Sequence, residues 1–246
     1  MRERVPHHLI GVVPLTQAFD VGHYLALATE RMAEIRSRGR LPIVVGGTGL
    51  YVRALTRGLA DLPKADEALR AKLSGKSLEE LRQQYAGLDP AGYRQIDLQN
   101  PRRLIRAIEV CLLTGRAFSS FREQWGSAAA AYRGIVCARS RDELYARIDA
   151  RTEQMFRDEV EAEVRDCGPI GATAAQTLGL KEIQAFLHGE ISRSASIAAI
   201  QQATRRYAKR QMTWLRRETN LAPVELSGAG APGHLIETLA MECAPA

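Results

Sequence analysis

Residues 41–51 read Leu41-Pro42-Ile43-Val44-Val45-Gly46-Gly47-Thr48-Gly49-Leu50-Tyr51. The first five residues form a continuous apolar and largely β-branched run, which predicts a strand that is buried on both faces, as in a parallel sheet. Glycines end this run, and a helical spacing of apolar residues resumes from Thr48. A strand, a glycine loop and a helix in this order are typical of an α/β unit.

The rest of the chain extends this pattern on both sides of a charged, helical middle. A helix is predicted at 23–38 before Gly39, and 102–114 is the clearest helix of the middle segment. A second strand is predicted at 134–138, followed by a capping box, Ser140-Arg141-Asp142-Glu143, and a helix running to about Asp166. Three further elements are predicted: a helix after Gly179, a helix at 195–217 and a short strand at 223–226. We therefore predict an α/β fold with a first core part at 1–60, a helical insertion at 61–132 and a second core part at 133–246.

Charge and composition narrow the classes of function. The chain has 34 Lys and Arg against 28 Asp and Glu, a net charge of +6, which favours a polyanionic partner. Its four cysteines lie far apart, without a metal-ligand spacing, which indicates a reducing, cytoplasmic environment. Because neither a signal peptide nor a membrane-spanning run is recognisable, we expect no secretion and no membrane insertion.

The loop Gly46-Gly47-Thr48-Gly49 joins the predicted strand to a helix N-terminus. Backbone N–H groups and the helix dipole at such a position favour a phosphate or an RNA backbone. Alternatively, the glycines serve only a tight turn that needs positive φ. Both interpretations stay open on this motif alone.

Two pairs of arginines are spaced one helical turn apart. Residues 100–109, Asn100-Pro101-Arg102-Arg103-Leu104-Ile105-Arg106-Ala107-Ile108-Glu109, place Arg102 and Arg106 on one face. Arg147 and Arg151 repeat the spacing, and two such guanidiniums can grip a pyrophosphate. The alternatives are a solvated basic face for the first pair and, for the second, surface ion pairs with neighbouring carboxylates at 143, 149 or 153.

The densest basic segment is 204–217, where six cationic residues alternate with Tyr207 and Trp214. Cations hold phosphates and aromatic rings stack on bases, so this pattern is compatible with nucleic-acid binding. For Trp214 we favour packing over stacking.

Two other motifs are assigned to structure rather than to chemistry. Gly75-Lys76-Ser77 resembles the end of a P-loop, but Arg70 occupies the position of the required glycine, so we predict a surface turn. His7 and His8 are candidates for a base or a ligand, but we favour a structural role for them at the start of a strand.

Several segments together closely resemble the tRNA dimethylallyltransferase family. They span almost the whole chain: 6–10, 41–51, 62–70, 100–109, 143–151, 176–183 and 205–214. The resemblance implies a P-loop NTPase-like, nucleotide-binding (ATP-binding) parallel-sheet core, incomplete at the N-terminus, with a helical insertion that contacts the anticodon stem-loop. It implies transfer of a dimethylallyl group from dimethylallyl diphosphate to N6 of adenosine 37 in tRNA, with Mg²⁺, by a cytoplasmic monomer.

The same resemblance assigns roles to individual residues. The residues expected to contact tRNA are Thr48, Arg70, Arg102, Arg103, Arg106, Gln176 and Lys181. Those expected to contact the diphosphate are Gly47, Arg147, Arg151 and Arg205.

The sequence also departs from the family pattern. Members carry a P-loop of the type GPTxSGKT and a following aspartate that acts as general base, and neither occurs in these 246 residues, so the catalytic residues stay unassigned. Gly11 stands where the family usually has an aspartate. An enzyme whose sequence is shortened and a catalytically inactive tRNA-binding remnant are therefore both open, and from these 246 residues we expect weak RNA binding with little transfer. A nucleotide-dependent kinase is disfavoured, because the basic helices match an RNA partner and no Walker A sequence occurs.

Overall fold

The computed structural model describes residues 5–124, 132, 134–218, 220–227, 236–237 and 240. The chain forms two compact units, the first made of 1–55 with 131–246 and the second of 56–130. The second unit overlaps the insertion predicted at 61–132.

Helices make up most of both units. In chain order the elements are α1 Val21–Ser37, α2 Gly49–Arg57, α3 Glu67–Ser74, α4 Leu78–Leu88, α5 Pro90–Tyr93, α6 Pro101–Thr114, β1 Gly134–Ala138, α7 Arg141–Arg157, α8 Val160–Asp166, α9 Leu180–Leu187, α10 Arg193–Leu215 and β2 Leu221–Glu225. Short 3₁₀ turns lie at Phe118–Gln124 and Ala174–Gln176.

Local capping explains where the predicted helices begin and end. The Asn100 side chain accepts a hydrogen bond from the Arg103 backbone N–H, and Pro101 occupies the first turn of α6. Gly115 ends α6 with φ of 66°, a left-handed conformation that glycine adopts without steric cost. Ser77, from the P-loop-like triplet, caps α4 in a capping box with Glu80, so that triplet is a turn, as predicted.

The sheet consists of β1 and β2, which pair in parallel with Val136 opposite Pro223. Both strands were predicted, the second within two residues of its observed bounds. The fold class is thus mixed α/β, with mostly helices and a small parallel sheet.

The strand predicted at 41–45 is not formed. Ile43 is 77% exposed and Val45 is 90% exposed, although the run is apolar and β-branched. A strand needs a neighbouring backbone to take its N–H and C=O groups and a layer to cover its side chains. Among the described residues, no segment pairs with this run, so the prediction of a buried strand is wrong for this structure.

Two further predictions of local structure are also wrong. His7 and His8 do not start a strand; the chain there is irregular, with Leu9 at φ of 61° and Gly11 at φ of 64°. The helix predicted from Ser140 to about Asp166 is broken at Glu159, which adopts φ of 58°. The break lets Val160 of α8 pack against the same cluster as Phe156 of α7.

Each unit has an apolar core of its own. In the second unit Tyr85, Leu104 and Ile108 are fully buried where α3, α4 and α6 pack. In the first unit Phe156, Ile183 and Ile200 join α7, α9 and α10. These cores fix the helices that carry the basic side chains.

Candidate nucleic-acid and diphosphate interface

The first turn of α6 presents Arg102 and Arg103 to solvent. The cap at Asn100 fixes the start of the helix, and Leu104 and Ala107, both fully buried, fix its inner face. The two guanidiniums therefore project from a rigid, well-anchored helix, which suits a phosphate contact.

Arg70 and Arg106 lie on either side of Glu109, whose side chain is fully buried. Arg70 donates from Nε to Glu109 Oε1 at 2.9 Å and from Nη2 to Oε2 at 3.0 Å, a bidentate pair. Arg106 donates from Nη1 to Oε2 at 2.5 Å and from Nη2 to the Pro63 carbonyl at 2.8 Å. The Asp66 backbone N–H also donates to Oε1 at 2.8 Å.

The charge state of Glu109 follows from these contacts. Burial by itself would raise the pKa of this carboxyl, but the hydrogen bonds from Arg70, Arg106 and the Asp66 backbone outweigh it and hold the pKa below its ordinary value. Glu109 is therefore ionised at neutral pH, and the cluster of Arg70, Arg106 and Glu109 carries one net positive charge.

Arg147 and Arg151 lie exposed on α7, one turn apart. The neighbouring carboxylates have other partners: Glu143 pairs with Arg139, Asp149 with Arg205 and Glu153 with Arg157. Within the described part of the chain, neither Arg147 nor Arg151 forms a salt bridge. The ion pairs offered as the alternative explanation of this motif are therefore not the ones formed.

Arg205 lies on α10 and pairs with Asp149, and its guanidinium also covers the Tyr145 ring at 5.1 Å. At about 100° per residue, Asp149 lies roughly opposite Arg147 and Arg151 on the wheel of α7. Arg205 thus contacts the other face of the helix, and the structure does not bring it together with the exposed pair.

The glycine loop packs against α10. A Cβ built on Gly49 would lie 2.5 Å from the Trp214 indole, and one built on Gly47 would overlap the Gln211 amide. Thr48 Oγ1 lies 3.5 Å from the Tyr207 hydroxyl. None of these glycines has positive φ. The glycines here serve a close approach of the loop to the helix, and Trp214 packs in the fold, as predicted.

The remaining predicted RNA contacts lie on the surface of the first unit. Gln176 ends a 3₁₀ turn and Lys181 lies in the first turn of α9, both exposed. On α10 the exposed cations are Arg206, Lys209 and Arg210, together with Arg193, which pairs with Glu161.

Glu109 is the residue that sequence reasoning missed. The sequence did contain a signal, because Glu109 follows Arg106 by three residues and so shares its helix face. The partnership with Arg70, 39 residues earlier, had no local signal.

Most of the chain matches the model of one protein family. The model of the IPP transferase family matches residues 1–218. The chain belongs to the IPP transferase family. The resemblance inferred from its motifs is thereby confirmed.

The chain is similar to proteins named tRNA dimethylallyltransferase. A tRNA dimethylallyltransferase of Akkermansia muciniphila is 38% identical over 241 residues, covering 98% of this chain and 82% of that protein. A tRNA dimethylallyltransferase 1 of Citrifermentans bemidjiense is 40% identical over 245 residues, covering 96% of this chain and 80% of the relative.

Solved structures in the IPP transferase family share the fold. The full-length tRNA isopentenylpyrophosphate transferase of Bacillus halodurans aligns with a TM-score of 0.67 and 32% identity, over 97% of this chain and 78% of the other. A eukaryotic dimethylallyltransferase solved acting on tRNA aligns with a TM-score of 0.75 at 20% identity, over 92% of this chain and 61% of the other, a likeness of fold alone.

Within the described ranges, no three His, Cys, Asp or Glu side chains lie close enough together to hold a metal ion. None of the described helices combines the length and the apolar character needed to cross a bilayer.

Proposed function

We propose that this protein transfers a dimethylallyl group from dimethylallyl diphosphate to N6 of adenosine 37 in tRNA. The observation that carries the proposal is the family match over 1–218, together with relatives named tRNA dimethylallyltransferase at 38% and 40% identity over nearly the whole chain. The exposed arginines of α6, α7 and α10 supply the charge that such substrates need.

The reaction forms one C–N bond and breaks one C–O bond and one N–H bond. The N6 lone pair attacks the allylic carbon, the C–O bond to the diphosphate breaks, the diphosphate keeps that electron pair, and N6 releases its proton to solvent. Negative charge grows on the leaving diphosphate, so cations fixed nearby lower the barrier. Arg147 and Arg151 fit this role, since both are exposed and their neighbouring carboxylates are engaged elsewhere. Arg205 pairs with Asp149 on the opposite face of α7, so Gly47 and Arg205 are a separate proposal for the diphosphate and not an extension of this exposed pair.

Binding of tRNA is the larger task for the protein. The adenine must leave its stack to reach the isoprenoid, so a broad basic surface is needed to hold the rest of the loop. We assign the anticodon stem-loop to the insertion through Arg102 and Arg103, with Arg70 and Arg106 beside them. Thr48, Gln176 and Lys181 are proposed contacts of the core.

The cellular setting of the reaction is part of the same proposal. We propose that the protein acts as a monomer in the cytoplasm, on a P-loop NTPase-like core, with Mg²⁺ as an added ion.

A second candidate function is a tRNA-binding protein without transferase activity. The observation that favours it is the set of exposed cations suited to RNA, Arg102, Arg103, Arg206, Lys209 and Arg210, while no side chain of the described residues is assigned to take the proton from N6.

A transfer assay separates the two functions. The purified chain is incubated with radiolabelled dimethylallyl diphosphate, Mg²⁺ and an unmodified tRNA with adenosine 37, and a matched tRNA with guanosine 37 is the control. Label in the first tRNA alone supports the transferase. Retained tRNA binding without label supports the inactive candidate, and neither binding nor label contradicts both.

A further inference from the structure

Glu109 is a buried ionised group that the reaction does not use. It lies on the inner face of α6, fully buried, and receives hydrogen bonds from Arg70, from Arg106 and from the Asp66 backbone. Removing a carboxylate from water is costly, and the cost is offset here only because every contact is a charged or backbone donor. The arrangement is too specific to be a chance surface pair.

The two arginines remain turned partly toward solvent. The Arg70 side chain is 43% exposed and the Arg106 side chain 30% exposed. A guanidinium has five N–H donors, and the hydrogen bonds formed within the described residues use two from each. Arg70 is thus held along its Nε–Nη2 edge, Arg106 is held through both Nη atoms, and each keeps N–H donors that these hydrogen bonds do not use.

We propose that Glu109 is a positioning residue for RNA binding: it fixes Arg70 and Arg106 so that their outer edges meet an RNA phosphate in a set geometry. This inference rests on the proposed function, which supplies the RNA. Holding a guanidinium in advance lowers the entropy lost when the phosphate binds. The competing explanation is that Glu109 only stabilises the packing of α3 against α6.

The direction in which one substitution changes the affinity for RNA distinguishes the two explanations. Glu109→Gln removes a negative charge from a basic surface, which by itself would strengthen RNA binding. Positioning predicts the opposite, since the amide keeps one acceptor oxygen but puts an NH₂ group where Oε2 accepted hydrogen bonds from both Arg70 and Arg106. Weaker binding despite the added positive charge is therefore the expected signature.

Asp89→Asn is the matched control in the same unit. Asp89 is also buried, but its partners are the Tyr85 hydroxyl, the Gly92 N–H and Ser119, with no arginine among them in the described residues. The control therefore makes the same change of charge and also removes a buried acceptor. It should not weaken RNA binding in the folded protein.

The experiment measures the affinity of the full chain for an anticodon stem-loop RNA at several salt concentrations, at a temperature where each variant is folded. Glu109→Gln should bind about tenfold more weakly, the size of one charged hydrogen bond. The salt dependence should fall by about one phosphate contact. Asp89→Asn should bind at least as well as the wild type.

Other outcomes overturn the inference in distinct ways. If the folded Glu109→Gln variant binds the RNA as tightly as the wild type or more tightly, Glu109 serves only the packing of α3 against α6. If that variant does not fold, Arg106→Lys replaces it, because lysine keeps the charge and loses the fork; binding equal to the wild type would then overturn the inference. Failure of the wild type itself to bind the RNA would instead remove the proposed function.

Discussion

Asp89 shows how a single buried carboxylate can hold the insertion together. It is 1% exposed and accepts hydrogen bonds from the Tyr85 hydroxyl at 3.0 Å, the Gly92 N–H at 2.7 Å, and the Ser119 N–H and hydroxyl at 2.7 and 2.8 Å. These contacts join α4, α5 and the 3₁₀ turn that follows α6. One side chain therefore links two neighbouring helices to a turn some 30 residues later.

Asp89→Asn should destabilise the protein by about 1–3 kcal/mol, because an amide cannot accept all of these bonds and turns a donor toward other donors. The free energy of unfolding in urea at neutral pH, followed by circular dichroism, measures the effect. An unchanged urea midpoint would show that Asp89 does not carry this stability.

Acidification provides the control for the same variant. Burial raises the pKa of Asp89, but its hydrogen bonds outweigh burial and hold the pKa below the ordinary 3.8. A lowered folded-state pKa means that the unfolded chain takes up the proton first, so the stability is present above about pH 3.8 and is lost as the pH falls below it. The gap between wild type and Asp89→Asn should narrow over that range.

The glycine loop packs against one face of α10. Tyr207, Gln211 and Trp214 lie on one face of α10 at helical spacing, and that face receives the loop 46–49. The sequence left open whether the glycines served a turn or an anion. The structure supplies a third reason, since a side chain at 47 or 49 would occupy the space of α10.

Gly49→Ala should destabilise the first unit by about 1–3 kcal/mol, because its Cβ would lie 2.5–2.7 Å from the Trp214 indole and force a shift. The matched control is Gly46→Ala, where a Cβ meets nothing within 4 Å, and its effect should stay within about 0.5 kcal/mol. Thermal unfolding measures the stability of both variants. Equal destabilisation by the two substitutions would contradict the packing of the loop on α10.

Exposed apolar surface is the main feature at the scale of the whole molecule. Leu41, Ile43, Val44 and Val45 are 51–90% exposed, and Val5, Ile10, Val12 and Leu15 are 46–57% exposed. Exposed side chains bury little apolar area and so add little to stability. The chain is therefore held by its helical cores and not by these two segments.

The double substitution Ile43→Ser with Val45→Ser should change the unfolding free energy by no more than about 0.5 kcal/mol per site, because both side chains are exposed. Leu104→Ala, in the fully buried core of the second unit, should cost about 2–5 kcal/mol. Urea unfolding of the two variants makes the comparison. A large loss from the double substitution would instead mean that the run is buried, as its sequence pattern predicted.

The sequence by itself determined what depends on neighbours along the chain. The α6 helix was predicted at 102–114 and is found at Pro101–Thr114, because Asn100, Pro101 and Gly115 act within one turn of its ends. The strand β1 was predicted at 134–138 and is found at Gly134–Ala138. The family was identified from motifs and from their order along the chain, both of which the sequence contains.

Only the tertiary structure decided which groups meet across long separations. The apolar run 41–45 has the composition of a strand, yet a strand forms only where another backbone lies beside it. The sequence does not distinguish Arg70 and Arg106 from the exposed Arg102. In the structure, the buried Glu109 carboxylate binds Arg70 and Arg106 but not Arg102. Burial, the direction of each side chain and the identity of its partner are properties of packing, and no local pattern of residues specifies them.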